Sequence, residues 1–74
     1  MKIVEITWKD SCGVVDQIWE SQNCKPLIPP DIKSIGYLWE KTKDYITIIQ
    51  SLDVNQMAGR FSIPRGCIKK IKKL

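Results

Sequence analysis

The sequence predicts a mainly β protein, a small and strongly bent five-stranded antiparallel barrel with one short helix. Apolar and polar residues alternate with a period of two in several segments, which is typical of half-buried strands. Short polar stretches separate these segments and favour hairpin connections. Gly36 lies inside a strand segment, where a glycine often marks a bulge or the bend of a barrel corner. We expect residues 1–74 to form one domain, because a chain of 74 residues buries a single small core.

The first third of the chain predicts a strand and then a helix. In KIVEITWKD, Val4, Ile6 and Trp8 share one face of the strand. The next segment, VVDQIWESQNC, carries the apolar stripe of a short amphipathic helix. The stripe consists of Val14, Val15, Ile18 and Trp19. An irregular loop in which Trp19 fills the core is the alternative for this segment.

A proline-rich linker separates this part from the main sheet. The segment KPLIPPD has three prolines within five residues, which excludes a helix and a central strand. We expect Leu27 and Ile28 to pin the linker to the core. Two strands follow, IKSIGYLWE and DYITIIQSL, and the polar segment EKTKD between them is short enough for a hairpin.

The end of the chain predicts two more strands. A turn, DVNQMAG, leads to the strand RFSIP, which Pro64 ends. Ile68, Ile71 and Leu74 are spaced by three residues, which suits one 3₁₀ turn at RGCI followed by a short last strand, KKIKKL. This strand would complete the barrel and present a basic outer face.

Positive charge is concentrated in the last part of the chain. The net charge is +4, yet residues 1–53 hold six lysines against eight acidic residues. Residues 54–74 hold six basic residues and no acidic one. Such asymmetry indicates a polyanionic partner. The alternative, favoured by composition alone, is a solvated edge strand whose lysines prevent aggregation.

The composition gives no support for catalysis, a metal or a cofactor. The chain has no histidine and no CxxC motif, and Cys12, Cys24 and Cys67 have no zinc-like spacing. We therefore predict a protein that is not an enzyme, with no cofactor. Cys67 is either a reactive thiol beside lysines or, as we favour, a thiol packed in the barrel core. The first ten residues carry charges throughout, and no segment has the length of a membrane span, so we expect a cytoplasmic protein with no membrane contact.

Two motifs between residues 33 and 74 carry a resemblance to a known family. In IGYLWEKTKDYITI, Gly36 lies in a strand, Asp44 opens the next strand and Ile46 is the apolar residue after it. In IPRGCIKKI, an Arg-Gly pair precedes two isoleucines spaced by three. This pattern resembles the Sm-like proteins (Sm, LSm and the bacterial Hfq), with Thr47 where that family has an asparagine. The combination of W-x-D, G-Y-L and I-P-R-G is also similar to small proteins of phages and prophages.

The resemblance implies a ring-forming protein that binds single-stranded RNA. Its nucleic-acid-binding residues would be Asp44, Tyr45, Thr47, Arg65 and Gly66. Tyr45 would stack on a base, Asp44 and Thr47 would lie beside it, and Arg65 with Gly66 would complete the pocket. A small sheet also leaves two edge strands, RFSI and KIKKL, which would pair between copies in a cyclic homo-oligomer of about five to seven subunits.

Other interpretations of the same residues remain open. Tyr45 can serve as a cross-strand packing residue, and Arg65 as a turn residue whose guanidinium binds backbone carbonyls. The alternative function is that of an SH3-like barrel that acts as a protein-interaction or assembly module and binds no nucleic acid.

Overall fold

A computed structural model describes residues 1–13 and 19–74 of the chain. Its strands are β1 (Ile3–Lys9), β2 (Asp31–Lys41), β3 (Tyr45–Ile49), β4 (Ser51–Leu52), β5 (Met57–Ala58), β6 (Phe61–Pro64) and β7 (Ile68–Lys73). A 3₁₀ turn at Arg65–Cys67 joins the last two strands and is the one helical element in the described ranges. The protein is therefore mainly β. The predicted helix on Val14, Val15 and Ile18 lies outside the described residues.

The predicted five-stranded antiparallel sheet is confirmed. Its strand order is β6-β3-β2-β1-β7, and every neighbouring pair is antiparallel. The short strands β4 and β5 form a separate hairpin. It follows β3 and precedes β6, and a hydrogen bond from the Gln50 N–H to the Ala58 carbonyl closes its base. At the tip of this hairpin the Asp53 carboxylate accepts the N–H groups of Asn55 and Gln56, which is an Asx-type turn.

The sheet is strongly bent. Strands β6 and β7 lie at its two edges, which would be about 19 Å apart in a flat sheet. The 3₁₀ turn that connects them has three residues and a rise of about 6 Å. Across the bend, the rings of Trp8 on β1 and Phe61 on β6 lie 5.7 Å apart. No hydrogen-bonded ladder joins β6 to β7 in the described chain, so the sheet is open and does not form the closed barrel that the sequence predicted.

The core lies inside this bend and follows from the alternation in the sequence. Its buried residues are Val4, Ile6, Ile46, Ile48 and Ile63. Partly buried side chains surround them: Trp8, Leu38, Cys67, Ile68 and Ile71. Full burial of one such aliphatic side chain contributes about 1.5–3 kcal/mol, so this cluster is the main stabilising element. The spacing by three in the last segment thus directs the isoleucines of the 3₁₀ turn and β7 inward.

Gly36 lies at a point where two strands approach closely. A Cβ at this position would lie 2.8 Å from the carbonyl oxygen of Ile49 and 3.2 Å from the Cβ of Ile48. Only glycine therefore lets β2 pass this close to β3, as expected of a bend. Three residues further on, the register between β2 and β3 shifts at Trp39, which is the bulged position.

The segment before β2 contributes little to the core. Leu27 and Ile28 are 57% and 75% exposed, so the prediction that they pin the linker is wrong. Trp19 is fully exposed and does not fill the core. The prolines lack donors and hold the chain extended, and a bond from the Asp10 N–H to the Pro30 carbonyl brings the ends of this excursion together. Three apolar side chains described in this segment, those of Trp19, Leu27 and Ile28, therefore lie in solvent.

Candidate nucleic-acid interface

The turn between β2 and β3 is organised by one threonine side chain. The Thr42 hydroxyl accepts hydrogen bonds from the N–H groups of Asp44 (3.1 Å) and Tyr45 (3.0 Å). The same hydroxyl donates to the Tyr45 carbonyl at 3.1 Å. Three bonds to a single side chain fix the start of β3, and with it the direction of the Tyr45 ring.

Arg65 holds the end of β6 against this turn. Its backbone N–H donates to the Asp44 carbonyl at 2.9 Å, and its Nε donates to the Thr42 carbonyl at 2.9 Å. The guanidinium thus binds a backbone carbonyl, which agrees with the interpretation of Arg65 as a turn residue. Gly66 is exposed in the 3₁₀ turn, and no atom lies within 4 Å of the position of a Cβ there.

An open groove lies beside the turn, on the outer face of β2, β3 and β6. It has a volume of about 380 Å³. It is lined by Trp39, Glu40, Tyr45, Thr47, Arg60 and Ser62. Two aromatic rings, one guanidinium, one carboxylate and two hydroxyls therefore share one surface depression.

Tyr45 and Glu40 form the polar contact at one wall of the groove. The Tyr45 hydroxyl donates to Oε1 of Glu40 at 3.0 Å. This hydrogen bond, and then the negative charges of Glu40 and Asp44, raise the pKa of the Tyr45 phenol above its ordinary value. The phenol stays protonated at neutral pH, so its ring is an uncharged aromatic surface that one carboxylate holds in place.

Thr47 and Ser62 form the part of the lining next to Glu40, which is paired with Thr47 across β2 and β3. They are directly paired across β3 and β6, and their hydroxyl oxygens lie 2.7 Å apart. The Thr47 residue is only 3% exposed, so its hydroxyl is engaged by Ser62 rather than free in solvent. A ligand in the groove would meet a hydroxyl pair here instead of the amide that an asparagine would supply.

The predicted site residues lie close together, but some line the groove and others belong to the turns beside it. Tyr45 and Thr47 line the groove. Asp44, Arg65 and Gly66 lie in the turns beside it, where the bonds of the first two are to the backbone.

Sequence reasoning missed four lining residues. These are Trp39, Glu40, Arg60 and Ser62. The period of two along β2 and β6 places Ser62 and Trp39 on the outer face, but it does not show which outer-face residues of separate strands meet. Arg60 precedes β6 and carries no local signal.

The thiols and carboxylates form no metal site in the described part of the chain. Cys12 and Cys24 are exposed, and Cys67 is half-buried and packs against the core, as the favoured interpretation of that thiol expects. No group of three cysteine, aspartate or glutamate side chains comes together among residues 1–13 and 19–74. None of the helices described there has the length and apolar character that a bilayer crossing requires.

Comparisons of the chain with protein-family models, with curated proteins and with solved structures find no match. The groove and the faces of the sheet are therefore the basis for a functional proposal.

Proposed function

We propose that the protein is a non-enzymatic, Sm-like protein that binds single-stranded RNA. The observation that carries this proposal is the groove, in which Tyr45 and Thr47 lie with Trp39 and Arg60 around one depression. Aromatic rings beside a cation are typical of sites that bind single-stranded nucleic acid. The rings stack on the flat faces of bases, and the cation contacts the negatively charged phosphates.

Each wall of the groove has a role in this binding. Trp39, which is 42% exposed, and Tyr45 supply the aromatic surfaces on which a base stacks. Arg60 supplies charge for the phosphate or stacks with its guanidinium plane. Glu40 offers a carboxylate to base amino groups, as acidic side chains do in base recognition.

Self-association is the second part of the proposal. The bent sheet leaves β6 and β7 as its edges, and these strands contain the segments expected to pair between copies. Pairing of β6 in one copy with β7 in the next would continue the sheet around a closed ring. Each subunit would then add one groove, so a weak site would gain affinity through multivalency. Completion of a barrel, a phage origin and a cytoplasmic location belong to the same proposal.

Binding of fluorescein-labelled oligouridine, followed by anisotropy, tests the RNA part. Trp39→Ala and Tyr45→Ala should each weaken binding about 5- to 150-fold, which corresponds to about 1–3 kcal/mol of stacking per base. Trp19→Ala is the matched control, because Trp19 is fully exposed elsewhere and should leave binding unchanged. Wild-type protein that binds no oligonucleotide, or equal losses in the Trp39 and Trp19 variants, would refute the proposal.

Light-scattering mass tests the ring separately. A mass of several subunits that falls to one subunit after Lys73→Pro would support edge pairing, because Lys73 is exposed on β7 and its N–H faces away from β1, provided that circular dichroism shows the sheet intact. A wild-type mass of one subunit at high concentration would contradict the ring. The RNA-binding groove would then be tested by the oligouridine experiment alone.

A protein-interaction module is the second candidate, and one surface favours it. The β4–β5 hairpin and Trp39 surround a second depression of about 230 Å³. Leu52, Val54 and Met57 line it and are 43%, 97% and 37% exposed. Exposed apolar side chains in one place are typical of protein contacts. If the protein binds no oligonucleotide at any salt concentration, the protein-interaction module is favoured over RNA binding.

A further inference from the structure

We propose that a second surface, the outer face of β7, β1 and β2, binds the phosphate backbone of the single-stranded RNA whose base lies in the groove. We call it the lysine face and define it by Lys33, Lys70 and Lys72. This inference rests on the proposed RNA binding and adds the path that the strand takes.

The register of the sheet places these lysines in rows. Thr7 on β1 is paired with Lys33 on β2 and with Lys70 on β7. Thr7 therefore stands between two lysines whose backbones are about 10 Å apart, on the face opposite to the buried Ile6. Lys72, two residues beyond Lys70, is paired with Glu5 on the same face. Long side chains from adjacent strands thus project from one surface.

The charge of this face is only partly neutralised. Asp31 binds Lys9 at 3.1 Å and Lys69 at 3.0 Å, which uses two lysines of the same outer surface. Within the described residues, Lys33, Lys70 and Lys72 form no ion pair within 4.0 Å, and all three are exposed. Exposed ammonium groups with no carboxylate bound to them are available to phosphates, and their release of counterions drives such binding.

The lysine face is continuous with the groove. Along β2 the outward positions run from Lys33 through Ile35 and Tyr37 to Trp39, which lines the groove. These six steps of extended strand cover about 20 Å, which a few nucleotides span. Ile35, which is 50% exposed, and Tyr37 separate the two ends along β2, and one carboxylate of this face, that of Glu5, lies beside the route, where Glu5 is paired with Ile35 and Lys72. One strand of RNA can therefore stack a base in the groove and place its next phosphates over the lysines.

The salt dependence of oligouridine binding tests this path. Each phosphate contact on a single strand contributes about −0.7 to the slope of log K against log salt concentration. The double variant Lys70→Gln/Lys72→Gln should flatten the slope by about 1.4, and adding Lys33→Gln should flatten it by about 0.7 more. Lys2→Gln/Lys25→Gln is the matched control, because it removes the same charge away from this face and should leave the slope near that of the wild type.

The possible results separate this inference from the proposal beneath it. If the wild type binds oligouridine and the double variant keeps the wild-type slope, the lysine face is refuted while the groove stands. Equal flattening in the control would also refute it, because net charge alone would then explain the effect. If the wild type binds no RNA and instead binds phosphatidylserine vesicles through these lysines, both the lysine face as an RNA path and the proposed RNA binding are refuted. Light-scattering mass must match between variants, since lysines that only protect an edge strand would change aggregation and not the slope.

Discussion

The groove and the lysine face lie on the same outer surface of one sheet, yet they differ in chemistry. The groove combines two aromatic rings with hydroxyls and a carboxylate, and Arg60 is its one basic residue. The lysine face has exposed ammonium groups, with an aliphatic side chain, the hydroxyl of Thr7 and the single carboxylate of Glu5 between them. Stacking depends little on salt, whereas phosphate contacts depend on it strongly. Mutations should therefore be able to change the affinity for RNA and its salt dependence separately in this protein.

The largest effect is expected from Gly36, which lies on β2 between the two regions. A side chain there would meet the Ile49 carbonyl at 2.8 Å, so Gly36→Val should force β2 away from β3 and disturb both surfaces. Overpacking of this kind costs about 1–3 kcal/mol, and a backbone contact places the cost at the upper end. Chemical denaturation followed by tryptophan fluorescence measures the free energy of unfolding.

Gly66→Ala is the matched control for that change. No atom lies within 4 Å of its new Cβ, so the free energy of unfolding should change by less than about 0.5 kcal/mol. Equal losses in the two variants would show that the close approach at Gly36 is not what limits this position.

An intermediate effect is expected in the groove alone. Glu40→Gln removes the main cause of the raised pKa of Tyr45, so that pKa should fall toward the ordinary value of a phenol. Absorbance of the phenolate during an alkaline titration measures it, in a Tyr37→Phe background that leaves Tyr45 as the one tyrosine. Asp44→Asn is the control and should lower the pKa less, because Asp44 is the weakest of the causes. A larger shift in the Asp44 variant would contradict the bond to Glu40.

The smallest effect is expected at the border of the lysine face. Hydrogen bonds from Lys69 and Lys9 lower the pKa of Asp31 below 3.8 in the folded state. A carboxylate with a lowered pKa stabilises the fold above the unfolded-state pKa, and this contribution disappears as the pH falls through the folded-state pKa. Asp31→Asn should therefore lower the free energy of unfolding at neutral pH and leave it unchanged in strong acid. The effect should be small, because both ion pairs of Asp31 are exposed and screened by solvent.

The same variant should affect the lysine face and the groove differently. It releases Lys9 and Lys69 from their shared carboxylate, so the salt dependence of oligouridine binding should become steeper. Groove variants such as Tyr45→Ala should not change that slope. An unchanged slope in Asp31→Asn would place these two lysines outside the path of the RNA.

Most strands of this protein were predictable because their signals are local. The alternation of Val4, Ile6 and Trp8 predicted β1, and the spacing of Ile68 and Ile71 predicted a 3₁₀ turn before the last strand. The turn EKTKD was predicted as a hairpin, and the structure adds the Thr42 side chain as its organiser. Alternation did not predict the burial of both faces of β3, in which Thr47 and Ile49 are buried along with Ile46 and Ile48.

Local sequence patterns set the five strands of the main sheet and the apolar faces of β1 and β7, because these properties depend on neighbouring residues. They did not predict β5, which lies inside the segment DVNQMAG. The folded arrangement of the strands is what brings Trp39, Glu40, Arg60 and Ser62 together with Tyr45 and Thr47 in one groove. It also places Lys33 and Lys70 on both sides of Thr7. The physical reason is that these residues are distant in the chain and meet through the register and bend of the sheet, which many side chains set together.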